Sequence, residues 1–563
     1  MRSAQINREP DRRSQAELKR STGGRERPQR EIRGSPETFK ALKMQRTLSP
    51  VSYKQRSSVK ERIAEIETFD EFALLPLVKD SIATQALTGM EEITPTPIQR
   101  IAIPAFLGQE IGARRRRSSA AKIGEMEQYL IAAETGSGKT LAYLLPVIDA
   151  VKRAEVVDLD VEAHKKALAQ EKQISNPYAV EAPPLTNQPH PTTGRPRAII
   201  LLPTSELVTQ VGSLTKLLSH TVRFRSSMIS SAYTGRVIRN RLFTPSGIDI
   251  LISTPHLLSS IAESDPNILS RVSHLVIDEA DSLMDRSFAP TTSAIIDRAT
   301  PSLKQLILCS ATIPRSLDTY LHKRFPDMHR LVTPNLHAIP RRVQLGVVDV
   351  EKDPYRNNKN LACADTIWSI GKAAAEHVLS HSGSTEIDRM DIKRILVFVN
   401  EREKTTEVAE YLQSKGIDAI ALNRDTPEQR QSELLASFTS AIPETVSLPS
   451  TPTPPSSAYP PSGPNYVPAV HTPQKNTPPP RRSLPNTKVL VTTDLGSRGI
   501  DTLAVRHVIL YDVPHSTIDF IHRLGRTGRM GRRGRGIVLV GKGDRKDVVR
   551  EVRQGMFMGQ ALI

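Results

Sequence analysis

QYLIAAETGSGKT, residues 128–140, is the stretch of this sequence that decides its fold class. Residues 129–133 are a short apolar run bounded by polar residues, which is typical of a buried parallel strand. A glycine turn follows, and an apolar helical pattern begins at Thr140. A strand, a glycine loop with Lys-Thr and a helix, in this order, indicate a P-loop. A glycine-rich turn with a chance lysine is the alternative, and the flanking strand and helix argue against it.

The loop has the chemistry that a nucleotide phosphate needs. Its glycines let backbone N–H groups approach phosphate oxygens, and the helix N-terminus adds partial positive charge. We expect Lys139 to meet the β- and γ-phosphates and the Thr140 hydroxyl to meet Mg²⁺. Ala133 stands where the general pattern has its first glycine. The predicted ATP-binding residues of the loop are Ala133, Glu134, Thr135, Gly136, Ser137, Gly138, Lys139 and Thr140.

Composition narrows the class of protein. The 563 residues suffice for two or three domains, and the net charge of +17 favours a polyanionic partner, although a solvated basic surface gives the same number. The two cysteines, Cys309 and Cys363, have no CxxC or histidine-rich neighbourhood, which argues against a disulfide scaffold or a zinc site. No apolar run is long enough to span a bilayer, and no secretory signal peptide is visible.

Residues 1–60 are predicted to be a disordered basic tail. They hold 16 Lys and Arg against 6 Asp and Glu, and few large apolar residues. Such a segment buries too little surface to offset its ordering entropy. It is either a nucleic-acid arm or the remainder of an organelle-targeting segment. Transit peptides are poor in acids, so the acidic residues favour a tail.

The rest of the chain alternates between apolar strand-like runs and helical patterns, which predicts parallel α/β sheets. The first domain is predicted over residues 61–335, with a surface insertion at 152–196. Its strand-like runs are residues 129–133, 198–202, 248–252, 275–277 and 306–309.

A polar linker is predicted over residues 336–390, and a second α/β domain over 391–563. Residues 441–487 contain 14 prolines and are predicted to be a disordered insertion in that domain. The strand-like runs of the second domain are residues 395–399, 419–422, 489–491, 507–510 and 537–540.

Residues 274–281, HLVIDEAD, predict a second part of the nucleotide site. Carboxylates at the end of a strand that neighbours a P-loop are where Mg²⁺ and the attacking water belong. Asp278 is the predicted Mg²⁺ ligand and Glu279 the group that polarises water. A solvated acidic turn is the alternative, and Lys139 upstream argues against it.

Six segments together resemble the DEAD-box RNA helicases. They are Thr96-Pro97-Ile98-Gln99, residues 133–140, Asp278-Glu279-Ala280-Asp281, Ser310-Ala311-Thr312, residues 492–501 (TTDLGSRGID) and residues 522–529 (HRLGRTGR). They occur in the family's order over about residues 69–542. The resemblance implies an α/β fold of two RecA-like parallel-sheet domains in tandem, with a nucleotide cleft between them.

The resemblance also implies roles in binding and hydrolysing ATP with Mg²⁺. Gln99 has an amide that can pair with the adenine edge, and Phe69 or Phe72 stacks on the base. Asp501 contacts the ribose. Arg526 and Arg529 act as arginine fingers from the second domain. The implied catalytic set is Lys139, Glu279, Arg526 and Arg529, and Ser310, Ala311 and Thr312 couple the acids to domain closure.

The RNA face departs from the family pattern. The implied RNA contacts are Pro203, Thr204, Thr254, Pro255, Thr493 and Asp494. Ser205 replaces an arginine, and His256-Leu257 replaces Gly-Arg, so phosphate contacts are lost and both RNA affinity and salt dependence are expected to fall. The basic tail and residues 114–117 (RRRR) are candidates to compensate.

The expected function is therefore that of an ATP-dependent RNA helicase. Likeness to the family's fungal mitochondrial members implies action on mitochondrial ribosomal RNA during large-subunit assembly, with assembly intermediates as partners. It also implies a mitochondrial location, with nucleus or nucleolus as the alternative. We expect a monomer. An ATP-gated RNA clamp or assembly scaffold with secondary hydrolysis is one rival hypothesis, and a DNA helicase is another.

Overall fold

Two parallel β-sheets follow one another along the chain. The computed structural model describes residues 48–49, 53–90, 93–109, 126–174, 189–285, 287–334, 336–339, 342–381, 392–423, 426, 428–439, 484–494, 505–528, 532–559 and 561–562. No helix within these ranges is both long and apolar enough to cross a membrane.

The first sheet has seven strands in the order β3-β4-β2-β5-β6-β1-β7. Its strands are β1 Glu127–Ala132, β2 Ala198–Leu201, β3 Ser226–Ile229, β4 Ile250–Ser253, β5 His274–Ile277, β6 Gln305–Ser310 and β7 His329–Val332. The five predicted strands are all present. β3 and β7 were not predicted, because both are partly exposed edge strands whose sequences, SSMI and HRLV, lack a continuous apolar run.

Helices cover both faces of this sheet. They are α1 Tyr53–Ala64, α2 Pro76–Ser81, α3 Pro97–Phe106, α4 Lys139–Val157, α5 Leu159–Ile174, α6 Ser205–Val222, α7 Gly235–Leu242, α8 Pro255–Ser264, α9 Ala280–Leu283, α10 Ala289–Ala299 and α11 Arg315–Arg324. Short turns of 3₁₀ or π helix occupy Phe69–Glu71, Ile82–Ala86, Pro266–Leu269 and Thr300–Ser302. Side chains alternate along β1, so that Leu130 enters one core and Ile131 the other.

The predicted insertion at residues 152–196 is mostly helical where the structure describes it. α4 continues to Val157, and α5 follows directly. Asp158 at their junction forms ion pairs with Arg197 and Arg271, and these tie the junction to the sheet. The charged composition that suggested a surface insertion belongs to the solvent face of these helices.

The folded part of the chain begins before residue 61, the predicted start of the first domain. α1 starts at Tyr53, and Arg100 holds its last turn by donating from Nη1 to the carbonyl oxygen of Ile63 at 3.0 Å. Further upstream, Leu48 is buried in the core of the second domain. The prediction of a disordered tail is therefore wrong for residues 48–49 and 53–60, and residues 1–47 lie outside the described residues.

The second sheet has six strands in the order β10-β11-β9-β12-β13-β8. They are β8 Val343–Asp349, β9 Lys393–Phe398, β10 Ile417–Leu422, β11 Leu484–Thr492, β12 Val505–Leu510 and β13 Gly534–Val540. Its helices are α12 Lys359–His381, α13 Glu403–Ser414, α14 Glu428–Thr439, α15 Thr517–Leu524 and α16 Lys546–Met558.

Two predicted boundaries of this domain are wrong. The linker at 336–390 contains β8, which pairs with β13, and α12, which buries Cys363 and Ile367 against the sheet. β8, VQLGVVD, lies at the sheet edge and is interrupted by Gln344 and Gly346, so it lacks a long continuous apolar run. β11 begins at Leu484, so the last four residues of the predicted insertion at 441–487 belong to a strand. The other residues of that insertion lie outside the described residues.

Candidate active site

The P-loop connects β1 to α4. Gly136 and Gly138 have φ of 75° and 88°, a region that residues with a side chain rarely adopt. A Cβ atom on Gly138 would also lie 2.7 Å from Nε2 of Gln99, so only glycine fits there. Lys139 is buried, and its Nζ atom donates to the carbonyl oxygens of Ala133 at 2.8 Å and Glu134 at 3.0 Å. The loop thus holds its ammonium group beside backbone N–H groups at a helix start, an arrangement that attracts phosphate.

Gln99 connects α3 to this loop. It is the third residue of the helix, and its Oε1 atom accepts a hydrogen bond from the backbone N–H of Thr96 at 2.8 Å. Its Nε2 atom donates to the carbonyl oxygen of Gly138 at 3.1 Å. The amide keeps one further N–H and one further lone pair. Its pairing with adenine therefore stays a prediction that the remaining hydrogen-bonding capacity permits.

Phe69 and Phe72 differ in their access to a base. Their rings pack edge to face with centroids 5.8 Å apart. Phe72 is 1% exposed and Phe69 7% exposed. Phe72 therefore cannot stack on a base, and Phe69 remains the predicted stacking residue.

The acids after β5 form a buried cluster. The Tyr143 hydroxyl donates to Oδ2 of Asp278 at 3.0 Å, and the Glu279 backbone N–H donates to its Oδ1 at 2.9 Å. Burial, followed by the negative charge of Glu279, raises the pKa of Asp278 to about 6, against the opposing effect of Lys139. Glu279 has φ of 52°, a costly conformation for a residue with a side chain and one common at functional sites. Tyr143 was not predicted, since its sequence looked like core helix.

One carboxylate oxygen joins the two domains. The Thr312 hydroxyl donates to Oδ2 of Asp281 at 2.6 Å, and Nε2 of His522 in α15 lies 3.2 Å from the same oxygen. Ser310 braces Thr312, because its hydroxyl donates to the Thr312 carbonyl oxygen at 2.7 Å. Ala311 between them is fully buried. Thr312, one of the predicted coupling residues, therefore contacts Asp281, and the same carboxylate oxygen lies beside His522 of the second domain.

The HRLGRTGR segment also touches the P-loop. The Thr135 hydroxyl donates to the Gly525 carbonyl oxygen at 3.1 Å. A Cβ atom on Gly525 would lie 2.2 Å from Oγ1 of Thr135, so a side chain there would force the segments apart. Arg526 follows directly and is buried. Two predicted site residues, Arg529 and Asp501, lie outside the described residues.

Arg523 is a residue of this segment to which the sequence assigned no role. It is buried, and its guanidinium group makes a bidentate ion pair with Asp494 at 2.6 and 2.7 Å. Its Nη2 atom also donates to Oδ1 of Asn400 at 2.8 Å. Asp494 thus holds Arg523 in place, and its predicted contact with RNA stays a prediction. The spacing within HRLGRTGR could have indicated Arg523, but nothing local points to Asn400.

The remaining predicted RNA contacts lie at one edge of the first sheet. α6, α7 and α8 follow β2, β3 and β4, which are neighbours, and the helices begin after Thr204, Thr234 and Thr254. Pro203 and Pro255 lie beside two of these starts and are buried. Three helix N-termini at one edge direct partial positive charge outward. Thr493 follows β11 in the second domain and is half-buried.

The residues that depart from the family pattern have local partners. The Ser205 hydroxyl lies 3.4 Å from a carboxylate oxygen of Glu206, and the His256 ring packs against Phe288 with centroids 5.0 Å apart. Neither contact supplies a cation in place of the arginines that the family pattern has at Ser205 and Leu257.

Comparison with known sequences decides the family. A model of DEAD/DEAH box helicases matches residues 96–320, and a model of the helicase conserved C-terminal domain matches residues 482–531. The mitochondrial ATP-dependent RNA helicase mrh4 of Sclerotinia sclerotiorum is 67% identical over 100% of this chain and 88% of its own length. The chain belongs to the DEAD-box ATP-dependent RNA helicases. A further member, MRH4 of Pyricularia oryzae, is 58% identical over 93% of this chain and 79% of its own length.

Solved DEAD-box structures share the fold. Dbp5 of S. cerevisiae, bound to RNA and ADP BeF3, has a TM-score of 0.54 and 20% identity, and the match covers 87% of this chain and 93% of that one. Mss116p, bound to ssRNA and AMP-PNP, has a TM-score of 0.54 and 19% identity. The match covers 87% of this chain and 79% of Mss116p. The predicted pair of RecA-like domains is confirmed.

Family membership confirms that this DEAD-box protein is an enzyme that uses ATP and acts on RNA. Its relatives are named as mitochondrial, so the predicted mitochondrial location is confirmed as well.

Proposed function

We propose that this helicase remodels mitochondrial ribosomal RNA during assembly of the large ribosomal subunit. The proposal rests on the resemblance to fungal mitochondrial members of the family and on the net charge of +17, which suits a large structured RNA. The observation that carries the helicase cycle is the junction at Asp281. Because Thr312 and His522 share one of its oxygens, a change at the acids changes the fit between the domains.

In the proposed cycle, ATP binds with Mg²⁺, which neutralises phosphate charge. The donor set suits Mg²⁺, because Thr140 and Asp278 supply hard oxygen ligands, and a bound cation would offset the burial and the Glu279 charge that raise the pKa of Asp278. Lys139 holds the phosphates, and Glu279 orients the attacking water. Arg526 and Arg529 bring positive charge from the second domain.

ATP and RNA bind together, close the cleft and bend the RNA. Hydrolysis and phosphate release then open it again, so unwinding is local. The enzyme acts as a monomer, because the two domains of a single chain complete the nucleotide site. A constant sedimentation coefficient across protein concentrations is the expected result.

The proposed RNA path crosses the three helix starts at Thr204, Thr234 and Thr254 and continues to Thr493. Arg236 and Arg239 on α7 are exposed, and neither has an ion-pair partner among the described residues. These two cations stand beside the path and offset those lost at Ser205 and Leu257. RNA held in this way is contacted through phosphate and sugar, which suits a helicase that must act on varied sequences.

RNA crosslinking in mitochondria, followed by sequencing of the bound species, tests the substrate. We expect enrichment of large-subunit ribosomal RNA, and depletion of the protein should accumulate incomplete large subunits. The Glu279→Gln variant makes a suitable trap, because it should retain bound RNA. Enrichment of messenger RNA or small-subunit ribosomal RNA alone would contradict the proposal.

A second candidate is an ATP-gated RNA clamp in which hydrolysis is secondary. The missing cations at Ser205 and Leu257 favour it, since a weakened grip suits holding one RNA site in an assembly rather than repeated strand separation. Measuring ATP turnover and RNA release in the same sample separates the two functions. A helicase that opens after each hydrolysis turns over ATP rapidly and releases its RNA at a comparable rate, whereas a clamp hydrolyses ATP slowly and retains its RNA.

A further inference from the structure

A surface groove on the second domain lies outside all the motifs described above. It has a volume of about 200 Å³ and separates edge strand β8 from α16. We call it the α16 groove. It is lined by Val347, Asp349, Val540, Lys546, Val549, Arg550 and Arg553. Its apolar residues come from two strands and one helix, so the groove is a rigid feature of the domain.

The charges around the α16 groove are unbalanced. Lys546 is paired with Glu351 at 2.7 Å, and Asp349 has Lys352 at 3.5 Å. Arg550 and Arg553 are exposed, and among the described residues no hydrogen bond or ion pair involves either of them. Two free cations therefore line the α16 side of an apolar floor, which suits carboxylates placed along one side of an apolar side chain.

The exposed stripe of α16 extends the surface beyond the groove. Lys546, Arg550, Arg553 and Phe557 follow a helical spacing that puts them on one face, over about 16 Å. Phe557 is 90% exposed and Val347 is 39% exposed. A large aromatic residue in line with free arginines is typical of the centre of a protein interface.

The direction of α16 places Phe557 away from the predicted RNA contact at Thr493. Lys546, its first residue, contacts Glu351 just after β8, and Leu562 beyond its end donates its N–H to the His337 carbonyl oxygen before β8. The helix therefore runs antiparallel to β8. Its Phe557 end points away from the carboxyl ends of the strands, where Thr493 lies.

We propose that the α16 groove binds an acidic peptide segment of a partner protein. The segment inserts an aliphatic side chain between Val347 and Val549. Its carboxylates pair with Arg550 and Arg553, and an amphipathic helix with acids beside its apolar stripe has this chemistry. The surface would attach the helicase to an assembly factor or ribosomal protein while its motifs stay free to engage RNA.

A synthetic peptide tests the proposal on the full chain. The probe is a fluorescein-labelled peptide of about 16 residues, four helical turns, with leucine at helical spacing and glutamate elsewhere. One control peptide has lysine in place of glutamate, and another has serine in place of leucine. We expect fluorescence anisotropy to report binding of the first peptide, with at least tenfold weaker binding of both controls.

Variants locate the binding surface. Arg550→Glu combined with Arg553→Glu should weaken the acidic peptide at least tenfold, and so should Val347→Glu alone. Arg430→Glu, an exposed cation on α14 of the same domain, is the matched control and should leave affinity unchanged. RNA-stimulated ATPase should be unchanged in all of them, because none lies in the nucleotide site or on the proposed RNA path.

Several results would overturn the proposal. Absence of binding up to about 1 mM peptide, or equal binding of the three peptides, would show that the groove lacks this specificity. Loss of single-stranded RNA affinity in the double variant beyond that in Arg430→Glu would assign the groove to RNA. A self-association that Val347→Glu removes would assign it to a second copy of the chain.

Discussion

Nε2 of His522 lies 3.2 Å from Oδ2 of Asp281, the oxygen to which the Thr312 hydroxyl donates. These two residues belong to different domains, and their contact exists only while the domains are together. The Asp281 carboxylate therefore contacts both Thr312, in the segment after β6, and His522 of the second domain. The nucleotide site and the domain arrangement are connected by this short chain of contacts.

Replacing His522 with alanine should uncouple the two events. ATP affinity without RNA should stay within about twofold, while RNA-stimulated turnover should fall about tenfold or more, because the variant removes the contact of the second domain with Asp281. Steady-state ATPase with and without RNA measures both. His515→Ala, an exposed histidine of the same domain, is the control. An equal loss of ATPase activity with and without RNA would mean that the contact only stabilises the fold.

Lys139→Ala should abolish ATP turnover and leave the fold intact. The Nζ atom donates only to the loop carbonyl oxygens of Ala133 and Glu134 among the hydrogen bonds described. Loss of a charged phosphate contact in a buried site should lower turnover about a hundredfold or more. The measurement is ATPase rate beside thermal unfolding, with Lys152→Ala on α4 as control. ATPase activity at the wild-type level would end the P-loop assignment.

Glu279→Gln should keep ATP binding but trap RNA in the closed state. The amide preserves the shape of the carboxylate and removes the charge that orients water. Release of labelled RNA after a chase, in the presence of ATP, measures the trap, and release should be slower than from the wild type. Release as fast as from the wild type would contradict the role given to Glu279.

Asp278 should make the nucleotide-free protein more stable as pH falls. Its pKa in the folded state, about 6, lies above the ordinary value of an aspartate, so the folded state binds the proton more tightly. Stability is therefore gained as pH falls from about 7 toward 5 and lost again as pH rises through 6. Thermal unfolding of wild type and Asp278→Asn between pH 5 and 8 tests this. The melting temperature of the wild type should rise relative to that of the variant as pH falls. A difference in melting temperature that stays constant between pH 5 and 8 would contradict the role given to Asp278.

Ser205→Arg should strengthen RNA binding at the first helix start. Ser205 follows the cap residue Thr204, so an arginine there reaches the proposed RNA path. The slope of log affinity against log salt should steepen by about 0.7 for one added contact to single-stranded RNA. ATP affinity without RNA should not move. An unchanged slope would mean that the RNA does not pass Ser205.

The nucleotide site was predictable because its determinants are local. The P-loop needs left-handed glycines at Gly136 and Gly138 directly after a buried strand, and the acids at Asp278 and Glu279 end another strand. Each of these signals lies within a few residues of sequence.

Features that depend on distant partners were not predictable. The edge strands β3, β7 and β8 are half-exposed and lack a long continuous apolar run, and β8 was assigned to a linker. The ion pair between Arg523 and Asp494 spans 29 residues, and neither residue is unusual in its own surroundings. Such pairs form only when the folded chain brings distant segments together, so the sequence around either residue does not reveal them.

The buried position of Leu48 has a consequence for the order of folding. Its side chain belongs to the core of the second domain, while the Ser49 hydroxyl donates to Oδ2 of Asp318 at 2.8 Å in the first domain. A residue near the start of the sequence therefore fills a core whose other members begin at Ile339, nearly 300 residues later. Because those members extend to Leu562, the second core is completed only after most of the chain has emerged, and the long-range contact of Leu48 forms late. A second domain expressed without Leu48 should melt at a lower temperature than the same domain in the full chain.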